Sequence, residues 1–93
     1  MENLKIATVY LTFTITKTLE EWKAVFDADQ DNLVSSGIQT LAVGYQLDTP
    51  NTVRVAFSAY SQKVVEDFTQ QNTTDIESSG HVLESTIWET FSS

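Results

Sequence analysis

Residues 7–16 alternate strictly between apolar and polar side chains, and this alternation limits the possible folds more than any other feature. The odd positions carry only apolar side chains: Ala7, Val9, Leu11, Phe13 and Ile15. The even positions carry Tyr10 and four threonines. A period of two is that of a β-strand, whose successive side chains point to opposite faces of a sheet. We therefore predict a strand from Lys5 to Thr16 with one apolar face and one face lined by threonine.

Three further segments have the composition of strands, rich in Val, Ile, Thr and aromatic residues. They are Ile38 to Leu47, Thr52 to Tyr60 and Val82 to Phe91. The first two flank Asp48 to Asn51, where Pro50 presets the backbone for a turn, so we predict a hairpin there. For the third and fourth strands, the sequence leaves open which set of alternate residues faces the helices.

Two segments have the apolar spacing of helices. The first begins at Thr18, which starts a capping-box pattern, and ends at Gly37. The second runs from Ser61 to Gly80, and its polar middle, residues 70–74, predicts a break or a kink. Thr18 and Ser61 are 43 residues apart, as are Gly37 and Gly80. Equal spacing suggests two copies of one strand–helix–strand unit.

The predicted order of elements is therefore β-α-β-β-α-β. This is the ferredoxin-like plan of the α+β class, in which a four-stranded antiparallel sheet carries two helices on one face. A chain of 93 residues is long enough for one domain with one modest core. We expect that domain to span residues 1–93.

The composition excludes several classes of function. Thirteen acidic and five basic side chains give a net charge of −8, which argues against nucleic-acid binding. No Cys and one His leave no thiolate nucleophile and no two-His metal site within one chain. We expect no metal and no cofactor. No apolar run approaches the roughly 20 residues that span a membrane, and no secretory signal is evident, so we expect a soluble, cytoplasmic protein.

Most of this charge lies on the predicted helices. Residues 18–37 and 61–80 hold nine acidic and two basic side chains, which is −7 of the −8. The predicted sheet is nearly neutral, and the face that the helices leave uncovered carries large apolar side chains. Contiguous exposed apolar area of this kind usually marks an interface. We therefore predict a homodimer that packs through the open face of the sheet.

The order of elements, the acidic helices and the single His81 before the last strand resemble the dimeric α+β barrel superfamily. Within it, the chain is most similar to small uncharacterised members from marine bacteria and marine metagenomes. The segment from Ser79 to Val82 also resembles the His-Val pair that starts the last strand of stress-responsive barrel proteins. The resemblance implies a homodimer with a small, largely apolar pocket between the sheet and the helices of each subunit.

The resemblance also implies candidate site residues. In cyclase-like members, a His at the position similar to His81 acts as a base beside a pocket Tyr, which makes His81 the candidate catalytic residue. The alternative is that His81 only helps to satisfy the end of the second helix. The candidate ligand-binding residues are mostly aromatic: Trp22, Phe26, Gln30, Tyr10, Phe13, Tyr60 and Trp88.

Three functions are compatible with these features. The leading hypothesis is a non-enzymatic protein that binds a small apolar or amphipathic molecule, such as a lipid-like or aromatic acid, because the chain has few catalytic side chains. The alternative is a cofactor-free cyclase, isomerase or monooxygenase that uses His81 as its base. A structural dimer without a ligand is the third.

Overall fold

A computed structural model describes residues 6–92, and for Pro50 the backbone alone. The strands and helices follow in this order: β1 (Ala7–Thr14), α1 (Leu19–Ala28), α2 (Gln30–Ser35), β2 (Gln39–Gln46), β3 (Thr49–Ala59), α3 (Gln62–Gln71), α4 (Thr73–Ser78) and β4 (Ile87–Ser92). A short 3-10 helix, Leu83–Ser85, precedes β4. The predicted start of the first strand at Lys5 lies outside the described residues.

The four strands form one antiparallel sheet in the order β2-β3-β1-β4. Both central strands are thus flanked on two sides, and the third strand in sequence lies beside the first. This arrangement confirms the predicted ferredoxin-like α+β fold. Among residues 6–92, no helix is long and apolar enough to cross a membrane.

The register decides which side chains of the sheet face the helices. Leu11 lies opposite Val55 in β3 and opposite Trp88 in β4, so all three share the face of the sheet that packs against the helices. The odd residues of β3 are buried in the same core as the odd residues of β1. Ile87 and the even residues of β1 lie on the opposite, open face.

Each predicted helix is a pair of shorter helices, and we call α1 with α2 the first arm and α3 with α4 the second arm. The second arm is interrupted at Asn72, which confirms the predicted break. The prediction of one continuous helix over residues 18–37 was wrong, because the first arm is interrupted at Asp29. The Asp29 N–H bonds to the carbonyl of Phe26, three residues back rather than four. A 3-10-type bond of this kind is common at the end of an α-helix.

The 43-residue spacing is obeyed by the two arms and broken by the strands. Both helices of the second arm begin and end 43 residues after their counterparts in the first. The strands differ because Ile15 precedes the first cap, Thr18, by three residues, whereas Ala59 precedes Ser61 by two. One additional residue in the first connection reverses the parity of β1 relative to β3.

Two strand boundaries differ from the prediction. The hairpin turn is Leu47 and Asp48, since Gln46 pairs with Thr49, and Pro50 lies in an irregular stretch of β3. Because proline has no N–H to donate to a neighbouring strand, it occurs within sheets mainly at such irregularities and at edges. The last strand does not begin at Val82: His81 forms an isolated bridge with Ile15, and the 3-10 helix separates it from β4.

The core lies between the sheet and the two arms. The first arm contributes Trp22 and Leu33, and the second contributes Val65 and Phe68. They pack on the buried residues of the central strands, so the helical arms cover one face of the sheet only. Gly80, which joins the second arm to His81, has a φ of 100° and lies so close to the backbone of Lys17 that a Cβ atom would meet it at 3.1 Å.

Candidate functional site

A cavity of about 260 Å³ lies between the sheet and the two helical arms. Its buried wall comes from both central strands and both arms: Leu11, Phe13, Trp22, Val55, Phe57 and Val65. The exposed residues that line it are Val25 and Ala28 at the end of α1 and Asp75 and Ser78 in α4. The cavity therefore opens to solvent between the end of α1 and α4.

A series of aromatic rings forms one side of this cavity. The His81 ring is stacked on Phe13, with centroids 3.6 Å apart and an interplanar angle of 6°. Phe13 contacts Trp22 at 5.7 Å, and Trp22 is stacked on Phe26 at 4.9 Å. The separations of the Phe13–Trp22 and Trp22–Phe26 pairs are typical of packed aromatic clusters. The wall is apolar over most of its area and carries one imidazole at its end.

His81 is 8% exposed and lines the cavity. Its Nε2 atom shares a hydrogen bond of 2.8 Å with the Thr86 hydroxyl. Its Nδ1 atom makes no hydrogen bond with any residue between 6 and 92. Burial lowers the pKa of His81 from 6.5 to about 4, so the ring is neutral at physiological pH. The lining of the cavity thus includes a mostly buried, neutral imidazole, and one of its ring nitrogens has no hydrogen-bond partner among residues 6–92.

The hydroxyl groups around the cavity are occupied by the helices themselves. Thr69 donates to the carbonyl of Val65, and Ser79 donates to the carbonyl of Ile76. The Ser78 hydroxyl donates to the Asp75 carbonyl in the same way. Such local bonds leave these hydroxyls little capacity to donate to a ligand.

The charged groups of the lining are both carboxylates. Asp29, half-buried at the break in the first arm, and Asp75 in α4 line the cavity. Within residues 6–92, neither forms an ion pair, and no Lys or Arg is part of the lining. No group of three or more His, Asp or Glu side chains in that range is arranged to hold a metal ion.

The structure brings together four of the eight candidate residues. Phe13, Trp22, Phe26 and His81 line the cavity. The other four lie elsewhere: Tyr10, Gln30, Tyr60 and Trp88.

Each of these four lies outside the cavity for a geometric reason. Tyr10 has the parity of the threonines in β1 and lies on the open face, against Phe91. Tyr60, 69% exposed, follows the last residue of β3. Gln30 returns its amide to the carbonyl of Phe26. Trp88 shares the helix-facing side of the sheet but lies on the edge strand, where it packs against the core.

The second arm contributes to the site through residues that were not among the candidates. Phe68 and Ile76 line the cavity, and both belong to the apolar stripe of the second predicted helix. Their helical spacing was the available signal, since a residue on such a stripe can line a cavity as well as fill a core. The position of Asp75 at the opening had no signal in the sequence, because it depends on how the two arms meet.

The hydroxyl of Ser85 is not available as a partner of His81. Ser85 ends the 3-10 helix. Its Oγ atom accepts from the Thr14 N–H and donates to the Val82 carbonyl. It is therefore occupied by backbone groups, and the hydroxyl that meets His81 is that of Thr86.

Solved structures with this fold come from several bacteria. Protein SO0527 from Shewanella oneidensis matches with a TM-score of 0.62 and 16% identity over 98% of this chain and 93% of that one. A putative antibiotic biosynthesis monooxygenase from Nitrosomonas europaea matches with a TM-score of 0.55 and 10% identity over 100% and 91%. SnoaB, a cofactor-independent oxygenase from Streptomyces nogalater, matches with a TM-score of 0.53 and 10% identity over 98% and 92%. At these identities the likeness is one of fold.

Fold and cavity together define a protein with the ferredoxin-like α+β fold and an apolar chamber between its sheet and its helices. Residues 6–93 match the family model of a domain of unknown function, DUF3764, and the chain belongs to that family. No curated protein matches the chain.

Proposed function

We propose that this protein binds a small apolar or amphipathic molecule in the cavity between its sheet and its helical arms. The observation that carries the proposal is the combination of an aromatic wall with a mostly buried imidazole, His81, whose Nδ1 has no hydrogen-bond partner among residues 6–92. Ligand sites are typically concave, mostly apolar and equipped with a few polar groups that orient the ligand. The volume is close to the lower end of the range for such sites, about 300 Å³, which favours a ligand of one or two rings or a short chain.

Two measurements test this proposal. Native mass spectrometry before and after organic extraction detects a ligand that copurifies with the chain. Thermal unfolding of the extracted protein with naphthalene-sized probes and with fatty acids measures binding, since a ligand at about 100 times its Kd stabilises the fold by about 2.7 kcal/mol. We expect a copurifying species or a stabilisation of that order. The proposal fails if neither a bound species nor any stabilisation is found.

A cofactor-free enzyme is the second candidate, and the position of His81 favours it. An imidazole beside an apolar chamber can accept a proton from a bound substrate. Two of the solved neighbours named above carry the words monooxygenase or oxygenase in their names. The depressed pKa of His81 makes it a weak base at neutral pH, however, and general bases act best with a pKa near the working pH. Binding is therefore the better supported function.

The enzymatic candidate is tested with His81→Gln, which keeps a polar side chain but cannot accept a proton at neutral pH. Ligands identified by mass spectrometry are incubated with the wild type and with the variant. An enzyme would convert the ligand, and His81→Gln would abolish turnover with the melting transition preserved. Unchanged ligand recovered from the wild type would exclude this candidate.

We also infer that two copies of the chain associate through the open face of the sheet. Its exposed apolar residues include Ile87 and Phe91, 61% and 59% exposed. At its centre Arg54 forms an ion pair of 2.9 Å with Glu89 and lies 4.7 Å from the centroid of the Tyr10 ring. This face is nearly neutral, whereas the helical arms carry most of the negative charge, so the arms of one copy would repel those of another. The sheet is therefore the face on which two copies meet at the lowest electrostatic cost.

A further inference from the structure

We propose that the cavity selects organic amines: a protonated amine is held at the opening by Asp29 and Asp75 while its apolar body occupies the aromatic chamber. This inference rests on the proposed ligand-binding function and specifies the charge of the ligand. It departs from the acid head group that the sequence analysis predicted. The chemical class is a primary ammonium attached to one or two aromatic rings or to a short aliphatic chain.

The first support is the sign of the charge around the cavity. Asp29 and Asp75 are the charged residues of the lining, and no cation pairs with either of them among residues 6–92. Asp31 and Glu77, on the same short helices, are also acidic and exposed. A carboxylate ligand entering between the arms would meet like charges that no basic side chain offsets, whereas an ammonium group would meet opposite charges.

The second support is the location of the carboxylates relative to the apolar wall. Asp75 is exposed and Asp29 is half-buried, so both lie toward the opening, whereas Trp22 and Val65 are buried. An amphipathic molecule satisfies both regions when its rings lie inside and its charge remains near water. This placement also avoids the cost of burying a charge.

The third support is independent of the carboxylates. His81 is more than nine-tenths buried, lines the cavity, and has one ring nitrogen without a partner among residues 6–92. That nitrogen keeps some accessible surface, so a ligand in the cavity can make a hydrogen bond with it in place of water. Since the Thr86 hydroxyl can either donate to or accept from Nε2, the other nitrogen can serve as acceptor or donor to a polar group of the ligand.

The test compares three probes with the same bicyclic body and different charges. Naphthalen-2-ylmethanamine is cationic at pH 7, naphthalen-2-ylmethanol is neutral and 2-naphthoate is anionic. Their affinities are measured by isothermal titration calorimetry at low salt. Because each exposed opposite charge contributes a factor of about 1.5 to 5, we expect the amine to bind about 3- to 10-fold more tightly than the alcohol. We expect the acid to bind most weakly.

Three variants assign the effect to the two carboxylates. Asp29→Asn and Asp75→Asn remove one charge each at constant size, and Asp31→Asn removes a charge from the first arm at a residue outside the lining. We expect each of the first two to weaken amine binding about 1.5- to 5-fold, with alcohol binding unchanged. Asp31→Asn should have a smaller effect on the amine than either.

The outcomes separate this inference from the function on which it rests. If none of the three probes binds, the proposed function itself fails. If the alcohol binds while the amine is no tighter, or the acid is tightest, the ligand site stands and the selection of amines is wrong. If the amine binds more tightly but Asp31→Asn weakens it as much as Asp29→Asn and Asp75→Asn do, the preference comes from the net charge of the protein and the assignment to the opening is overturned.

Discussion

His81 combines a mostly buried imidazole with a ring nitrogen that has no hydrogen-bond partner in the part of the chain that the structure describes. Phe13 covers one face of the ring, and Thr86 holds one of its nitrogens. The depressed pKa follows from burial, because the apolar surroundings solvate the charged form poorly. The ring is therefore fixed in position and neutral, which suits a group that orients a ligand by hydrogen bonding.

The titration of His81 predicts how the stability of the fold depends on pH. The unfolded chain binds a proton at this residue near pH 6.5, and the folded chain only near pH 4. Between these values the unfolded state holds more protons, so acidification favours unfolding. We expect the free energy of unfolding to fall by about 1 to 3 kcal/mol between pH 7 and pH 4 on account of this residue.

This pH dependence is measured by urea unfolding of the wild type and of His81→Gln across that range. The difference between the two curves isolates His81 from the acidic side chains, which titrate in both proteins. We expect the difference to develop between pH 6.5 and 4 and to level off below pH 4. Parallel curves would show that His81 takes up its proton equally in both states, in contradiction to its burial.

At the scale of elements, the two helical arms share their lengths but not their first caps. Thr18 forms a complete capping box: its hydroxyl accepts from the Glu21 N–H, and the Glu21 carboxylate accepts from the Thr18 N–H. The Thr18 N–H and the Thr18 hydroxyl both donate to the Glu21 carboxylate, and these two bonds lower its pKa. Ser61 occupies the same position in the second arm, but its side chain makes no capping bond.

The two caps therefore make a matched pair for mutation. Thr18→Ala removes a hydrogen bond to the helix start, and we expect it to destabilise the fold by about 0.5 to 2 kcal/mol. Ser61→Ala removes no such bond, and we expect a cost of less than about 0.5 kcal/mol. Chemical denaturation of both variants against the wild type measures the difference. Equal losses, or a larger loss for Ser61→Ala, would contradict the capping geometry.

The arms also mark where sequence reasoning succeeded and where it failed. The break at Asn72 was predictable because residues 70–74 form a run of polar, weakly helical side chains. The break at Asp29 was not, because Trp22, Phe26 and Leu33 continue an apolar stripe across it. The 43-residue spacing would have predicted the break at Asp29 from the break at Asn72, since the helices of the two arms are 43 residues apart.

The strand register was the part of the fold that the sequence left open. Alternation along β1 predicted which of its side chains are buried, and Val9 and Leu11 are. For β3, an exact 43-residue repeat would have given the opposite parity from the one observed, so the repeat is inexact in the strands. The cause is a single extra residue in the connection between β1 and Thr18, compared with the connection between β3 and Ser61. Local propensity does not show that one of these connections is a residue longer than the other. Half of the predicted site residues followed from helix periodicity and the parity of β1; the opening of the cavity follows only from how the arms meet.

At the scale of the whole molecule, charge and apolar surface are separated between two faces. The helical arms are acidic, and the open face of the sheet carries the exposed apolar side chains of Ile87 and Phe91. We expect the protein to form a dimer through that face at micromolar concentration, with twice the chain mass of 10.4 kDa. Burial of a hydrophobic patch of this kind is the usual source of such association.

The dimer is tested by light scattering on two variants that each replace an exposed aliphatic residue by an acid. Ile87→Glu changes the open face, and Val34→Glu changes α2 at a residue of similar exposure, 64% against 61%. We expect Ile87→Glu to give particles of 10.4 kDa and Val34→Glu to remain dimeric. A monomeric wild type would refute the association. Dissociation by Val34→Glu but not by Ile87→Glu would show that the dimer interface lies on the helical arms and not on the open face of the sheet.

The central claim is that a small molecule enters the chamber between the sheet and the arms, and a variant that obstructs the opening tests it most directly. Ala28, at the end of α1, is exposed and lines the cavity; Ala24, one turn earlier, is exposed and does not. Ala28→Trp places a large side chain at the opening, and Ala24→Trp places the same side chain beside it as the control.

The measurement is calorimetric titration of the neutral probe naphthalen-2-ylmethanol into the wild type and both variants, each with its cooperative melting transition verified. We predict saturable binding of one probe per chain by the wild type and by Ala24→Trp, and at least tenfold weaker binding by Ala28→Trp. Absence of binding by the wild type, or equal binding by Ala28→Trp and Ala24→Trp, would contradict the assignment of this cavity as the ligand site.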